Sequence, residues 1–183
     1  MKQELLFIGA GGFGRVVLEH ASGLYDCGFL DDGDSAVVDC VPMIGKTSDM
    51  ASLYPEYNLL LVAIGNNKLR QRLYKEAMAI GYSFPIIHPT AYISPHAQIG
   101  SGCIILDNAV VQNNVKCGDG CILNPGVELH HDSTIGNYCL IYERSLTYIG
   151  DRVRIGSNAT VSTSAKVPDD AVINDGAVYK TEE

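Results

Sequence analysis

An apolar residue recurs every six positions through the second half of this chain. Ile87, Ile93, Ile99, Ile105, Val111, Cys117, Leu123, Leu129, Ile135 and Ile141 open successive repeats; the count slips by two at Thr147-Tyr148 and resumes at Ile149, Ile155, Val161, Val167, Ile173 and Tyr179. The fifth place of each repeat is small or compact, as at Ala97, Cys103, Ala109, Cys121, Ser133, Cys139 and Ala159. Self-similarity at a fixed short period marks a solenoid, and six is a β-helix period. Strand alternation turns places five and one inward and place six outward, while places two to four form polar turns rich in Gly, Asn, Asp and Pro. Three hexads close a triangular coil, so Cys103, Cys121 and Cys139 stack as one inward column. They read as small core residues rather than metal or redox groups.

The first half has a different rhythm. Short apolar runs at Leu5 to Ile8, Gly28 to Leu30 and Leu59 to Ile64 alternate with helical stripes, the signature of βαβ units and a parallel sheet. One helix is predicted over Phe13 to Ser22, with Val16, Val17, His20, Ala21 and Leu24 on one face. A second carries Leu69, Leu73, Ala77 and Ile80 and stops at Gly81. Tyr82 to Ile86 could supply a last short strand. The pattern divides the chain into a half-Rossmann α/β domain over 1–86 and a parallel β-helix of hexapeptide repeats over 87–183.

Between the first strand and helix stands Gly9-x-Gly11-x-x-Gly14, with Asp31 and Asp32 about twenty residues on. Such a turn lets phosphate approach a helix amino terminus, and an acid at that distance can hold a ribose. Two readings are open: these glycines only let helix pack on strand and the aspartates are solvated turn residues, or Gly11, Gly12, Asp31, Asp32, Ile64 and Gly65 line a nucleotide crevice at the carboxyl ends of the strands. A dehydrogenase needs the second half of that fold, which gives way here to hexads, so hydride transfer is the lesser alternative.

Composition narrows the classes. With 46% hydrophobic and 19% charged residues among 183, the chain can bury a core. A net charge of −8 without an acidic block argues against nucleic acid or an anionic membrane as partner. The apolar run near the start is too short for a signal peptide and no stretch is long enough to span a bilayer, so a cytoplasmic location is expected. The six cysteines include no C-x-x-C pair, and no metal site is expected.

Core packing accounts for places one and five, which leaves the turns for chemistry. His130-His131-Asp132 occupies places two to four of the repeat opened by Leu129, where packing requires neither histidine. Imidazole is the usual general base near neutral pH, and an adjacent carboxylate can orient it; the bland reading is an exposed polar turn. Asn124 could orient a substrate or satisfy turn backbone. His88 and His96 read as structural. Place six forms an apolar column at Ile104, Ile122 and Leu140, whereas another face has Gln98, Lys116 and Thr134. An exposed apolar column wants a partner, so a homo-oligomer, naturally a trimer, is expected through it.

Gly9-Ala-Gly-Gly-Phe-Gly-Arg-Val-Val17, Gly28-Phe-Leu-Asp-Asp32, Ala63-Ile-Gly-Asn66, His88-Pro-Thr-Ala91 and Asn124-Pro-Gly-Val-Glu-Leu-His-His-Asp132 together resemble, in order and over nearly the whole chain, the sialic acid O-acetyltransferase and UDP-amino-sugar N-acetyltransferase family (NeuD/PglD type). The resemblance implies a left-handed β-helix, which the general right-handed crossover preference does not suggest. It also implies a trimer, a sugar or nucleotide-sugar site on the amino-terminal domain, and acetyl-CoA as donor, lying between subunits. His131 would deprotonate the sugar amine or hydroxyl, with Asp132 supporting it. The chain departs from the family pattern over Leu140 to Tyr148, where a longer coil commonly supplies a backbone donor to the thioester oxygen. The alternative is a non-catalytic nucleotide-sugar-binding scaffold with a degraded acetyl-CoA site.

Overall fold

The computed structural model describes residues 2–33, 37–54, 56–86, 90–143 and 148–180. The chain divides into two compact units, Met1–Ile87 and His88–Glu183.

In the first unit, β1 (Gln3–Ile8), β2 (Tyr25–Leu30), β4 (Val41–Gly45) and β5 (Leu59–Val62) run parallel, and β3 (Val37–Val38) joins the edge antiparallel, in the order β3-β4-β2-β1-β5. Helices α1 (Gly12–Ala21), α2 (Met50–Leu53) and α3 (Asn67–Ile80) connect them, with a 3₁₀ turn at Thr47–Asp49. The near-continuous apolar run of β1 is buried at Leu5 to Ile8, as a central parallel strand requires; β5 is buried at Leu60 to Val62 although it is the edge strand beside β1 and not, as its apolar run predicts, a middle one.

Several elements differ from the sequence pattern. Strand β2 begins three residues earlier, at Tyr25, because Gln3 and Glu4 of β1 pair with Tyr25 and Asp26. The β3-β4 hairpin escapes a reading that looks for Gly or Asn turns. Its two turn residues, Asp39 and Cys40, both have positive φ (48° and 66°), the signature of a tight hairpin turn that usually contains glycine. Arg15 secures that turn through Asp39 at 2.7 and 2.9 Å. The predicted last strand contracts to a single bridge between Leu59 and Ser83.

Both helical stripes are rotated from their predicted faces. Helix α1 buries Gly14, Val17, Leu18 and Ala21, while Val16 and Leu24 are 40% and 66% exposed. Gly14 explains the choice: a Cβ there would lie 1.9 Å from the carbonyl oxygen of Gly9, so backbone closes on backbone along that line. Helix α3 buries Arg70, Leu73, Tyr74 and Ala77. It starts at Asn66, whose side chain accepts from the Leu69 N–H, and stops at Gly81 in the left-handed region with φ 119°.

The second unit is a left-handed parallel β-helix, with fifteen two-residue strands in three five-stranded sheets among the described residues. The first face runs from Tyr92–Ile93 to Lys166–Val167, the second from Gln98–Ile99 to Val172–Ile173, and the third from Ile104–Ile105 to Val178–Tyr179. Place one of each strand is buried from Ile105 to Ile173, each aliphatic side chain contributing about 1.5–3 kcal/mol. Cys103, Cys121 and Cys139 are fully buried in one column. Their thiols donate to the carbonyls of Gly118, Gly136 and Gly156 at 3.0–3.1 Å. With Cys117, the sulfurs of Cys103 and Cys121 lie within 4.8 Å of one another.

The corners obey a rule of their own. At place four the backbone turns left-handed, as at Asn114, Gly120, Asp132, Tyr138, Arg152 and Asn158. This conformation directs the place-four N–H back to the place-three carbonyl of the preceding coil, as from Asp132 to Asn113 (3.2 Å) and from Arg152 to His131 (3.1 Å). Gly, Asn and Asp bear this φ most readily, hence the turn composition.

Two expectations change. The extra two residues sit in the corner between Ile141 and Tyr148, and Tyr148 itself is a regular strand residue paired with Glu128. Thr147, with 144–146, lies outside the described residues. The column Ile104, Ile122 and Leu140 is 1, 0 and 6% exposed. These side chains point out of the coil but are already covered within the single chain, so they present no apolar face that calls for a partner.

Candidate active site

His131 and Asp132 stand on the corner that follows the first face. Stacking of coils turns this corner into columns: Asn114, Asp132, Arg152 and Asp170 at place four, and His131, Asp151 and Asp169 at place three. Asp132 Oδ2 lies 2.8 Å from His131 Nδ1, and Asp132 Oδ1 accepts from Asn114 Nδ2 at 2.6 Å. The Asn114 amide and then the His131 ring hold the Asp132 carboxyl below its ordinary range. A carboxylate at Nδ1 leaves Nε2 as the nitrogen able to take a proton.

Asp151 is a member of this site that the reading of motifs missed. Its Oδ2 lies 3.2 Å from His131 Nε2, and its Oδ1 lies 3.4 Å from His130 Nδ1. His130 Nε2 is 3.7 Å from Glu128. The signal was present in the hexad count, because place three of the next coil falls on Asp151 once the slip is included. Arg152 is turned away into a bidentate pair with Asp170 at 2.7 and 2.9 Å and reaches Asp151 only at 4.0 Å. Asp170 in turn keeps the Arg152 guanidinium more basic than usual. Acidic groups outnumber the committed cation here, so the corner favours cationic or proton-donating ligands.

Asn124 is not beside His131. It lies on the corner before the Glu128–Leu129 strand, nearly buried, and donates from Nδ2 to the Ile141 carbonyl at 3.1 Å. Its amide thereby serves turn backbone. His96 is exposed in an early turn with its backbone N–H on Ser94 Oγ, and His88 lies outside the described residues.

In the first unit a cavity of about 190 Å³ opens at the carboxyl ends of the strands, lined by Asp31, Asp32, Thr47, Ile64 and Arg72 among others. Asp31 spans the crevice floor, accepting from the N–H groups of Ala10 (2.9 Å) and Gly33 (2.8 Å). Asp32 accepts from Thr47 N–H at 3.0 Å. Both aspartates therefore organise loops as well as lining the cavity. The glycines divide into two kinds. Gly9 and Gly14 are imposed by close backbone, whereas a Cβ on Gly11, Gly12 or Gly65 would meet nothing within 4 Å, and none of the three has a positive φ. Packing does not demand glycine at those three positions, which are exposed and outside the cavity's own lining, where Gly9 stands instead; the space beside them is open to a ligand that extends from the cavity.

Two further residues were not legible from motifs. Arg72 brings a cation to the cavity from the α3 face that also carries Leu69 and Leu73. Arg70 is 1% exposed and braces the loop after β5, donating to Ile64 O at 2.7 Å, Gly65 O at 3.3 Å and Asn67 Oδ1 at 2.9 Å. Among the described residues no helix is long and apolar enough to cross a membrane.

Residues 4–77 match the family described as the PglD N-terminal domain. Over 115 residues, 57% of this chain, the sequence is 30% identical to UDP-N-acetylbacillosamine N-acetyltransferase of Bacillus subtilis (strain 168); the chain spans about half of that relative, 51% of its length. The acetyltransferase domain of PglB from Neisseria gonorrhoeae FA1090, solved in complex with acetyl coenzyme A, is 32% identical with a TM-score of 0.82, covering 97% of this chain and 96% of that one. A mutant perosamine N-acetyltransferase from Caulobacter crescentus, in complex with CoA and GDP-perosamine, is 26% identical with a TM-score of 0.75, covering 93% of each chain.

Proposed function

Because this chain belongs to the PglD-type family of sugar N-acetyltransferases in the hexapeptide-repeat acyltransferase superfamily, we propose that it transfers the acetyl group of acetyl-CoA to an amino or hydroxyl group of a nucleotide-linked sugar, with His131 as general base. The observation that carries this reading is the His131–Asp132 pair at 2.8 Å on an outward turn that the β-helix does not need for packing. Asp132 holds Nδ1 and Asn114 holds Asp132, which leaves Nε2, 3.2 Å from Asp151, as the nitrogen that takes the acceptor's proton. His131 takes a proton from the acceptor so that its nitrogen or oxygen can attack the thioester carbon, and the carbon–sulfur bond then breaks with its electron pair leaving on sulfur. Positioning and proton transfer are the tasks left to the protein.

The nucleotide part is assigned to the crevice of the first unit. Gly11, Gly12 and Gly65 leave open approach to backbone N–H groups, the amino terminus of α1 favours phosphate, and Arg72 adds charge. Asp31 and Asp32 are the candidate partners for ribose hydroxyls or base N–H groups. Asn124 acts through the corner backbone it secures. The chemistry is placed in the cytoplasm, and a homotrimer is proposed on the family resemblance alone, because the Ile104 column no longer argues for one. The intact histidine–aspartate pair supports the acetyltransferase reading over the scaffold alternative.

The test is thiol release from acetyl-CoA with a panel of UDP- and GDP-linked amino sugars, their hydroxyl counterparts and sialic acid. Wild-type protein turns over at least one, and His131→Ala lowers kcat by about a hundred- to ten-thousand-fold. Turnover unaffected by that substitution removes His131 as the base. Nucleotide-sugar binding without acetyl-CoA binding supports the scaffold.

A further inference from the structure

We propose that Asp151 recognises the acceptor: its carboxylate receives an amine in its ammonium form beside His131 Nε2 and so selects an amino sugar over a neutral hydroxyl. The inference rests on the reading of His131 as the base and adds the acceptor class and the residue that reads it.

His131 Nδ1 is taken by Asp132, so any group that gives a proton to the ring must stand at Nε2. Asp151 Oδ2 lies 3.2 Å from that nitrogen, so an acceptor that comes to Nε2 meets the carboxylate alongside it and shares its hydrogen bonds with both. The Asp151 backbone is anchored beside the ring. Its N–H donates to Asp169 Oδ1 at 3.0 Å, its carbonyl accepts from Asp170 N–H at 2.9 Å, and its Oδ1 is held 3.4 Å from His130 Nδ1. Its side chain is still 24% exposed, so a ligand can reach it. Among the described residues the other charges near the ring and Asp151 are Glu128, Asp132, Asp169 and Asp170 against Arg152 and Arg154, and the Arg152 guanidinium is committed to Asp170. An ammonium gains a charge-assisted hydrogen bond in that setting, and a hydroxyl gains only an ordinary one.

The proton inventory closes. The ammonium gives one proton to Nε2 and becomes the neutral nucleophile, leaving an imidazolium between the carboxylates of Asp132 and Asp151. Nitrogen bonds to the thioester carbon, the carbon–sulfur bond breaks onto sulfur, and nitrogen sheds its second proton. Of the three ammonium protons, one stays on the amide, one leaves on the thiol and one goes to solvent.

Asp151→Asn, with Asp151→Glu as the conservative variant, tests this by turnover and by binding. With the amino-sugar nucleotide that wild type uses, Asp151→Asn raises KM about ten- to a hundred-fold near neutral pH, the size of a charged hydrogen bond, with a smaller change in kcat. The gap narrows as pH rises and the free amine becomes neutral, and Asp151→Glu restores part of the loss. Calorimetric titration with GDP-perosamine and UDP-linked amino sugars, each beside its hydroxyl counterpart, needs no turnover: wild type prefers the amine and Asp151→Asn loses that preference. A loss uniform across pH, or an amine preference untouched by Asp151→Asn, overturns the proposal. If His131→Ala leaves turnover intact while Asp151→Asn abolishes the preference, the base assignment fails and the acceptor assignment stands.

Discussion

Asn114 lies one coil before Asp132 and donates to its Oδ1 at 2.6 Å, while the other carboxylate oxygen faces His131. One side chain therefore sets the ionisation of the acid that orients the base.

The Asp132 carboxyl is held below its ordinary range, first by Asn114 and then by His131. Its folded pKa lies under the unfolded value near 3.9, so whatever stability it contributes is present above that value and is lost as pH falls through the folded one. Asn114→Ala moves the titration up toward the ordinary range, read by ¹³C NMR of the labelled carboxyl, and turnover falls off at a higher pH on the acid side. An unmoved carboxyl titration contradicts the Asn114 assignment.

The two kinds of glycine in the first loop separate folding from binding. Gly14→Ala drives a methyl into the Gly9 carbonyl and costs about 1–3 kcal/mol in denaturant unfolding, as overpacking does. Gly11→Ala meets no atom and loses only the N-cap preference for Gly over Ala, about 0.5–1 kcal/mol. It nevertheless weakens nucleotide-sugar binding by filling the open approach. Equal effects of both substitutions on stability and binding would remove the phosphate-cradle reading.

Ile122 is fully buried within the single chain. Ile122→Ala costs about 2–5 kcal/mol, and the loss is the same at low and high protein concentration, because what covers this side chain belongs to the same chain. A loss that disappears on dilution below the assembly's dissociation constant returns the column to an intersubunit role.

Much of the architecture was readable from periodicity alone. Inward places one and five depend only on strand alternation and on three hexads per coil, both local properties, so the buried columns of the β-helix and the parallel βαβ order of the first unit follow directly from the residues. His131 and Asp132 were legible for the complementary reason, since they lie where packing asks for nothing.

The helix faces, the β3-β4 hairpin and the environment of the base were decided in three dimensions. Gly14 against Gly9 rotates α1, and a left-handed Asp39-Cys40 turn held by Arg15 builds the hairpin without glycine. Whether an outward place-six residue meets water depends on what else in the chain covers it, which no period encodes. Asp151 reaches His131 because, despite the two-residue slip in the count, the coil from Tyr148 onward stacks in register, pairing Thr134 with Arg154. Motifs name residues close in the chain, whereas stacking across coils chooses the acid that faces Nε2, and a contact of that kind forms only when backbone pairing has fixed the register.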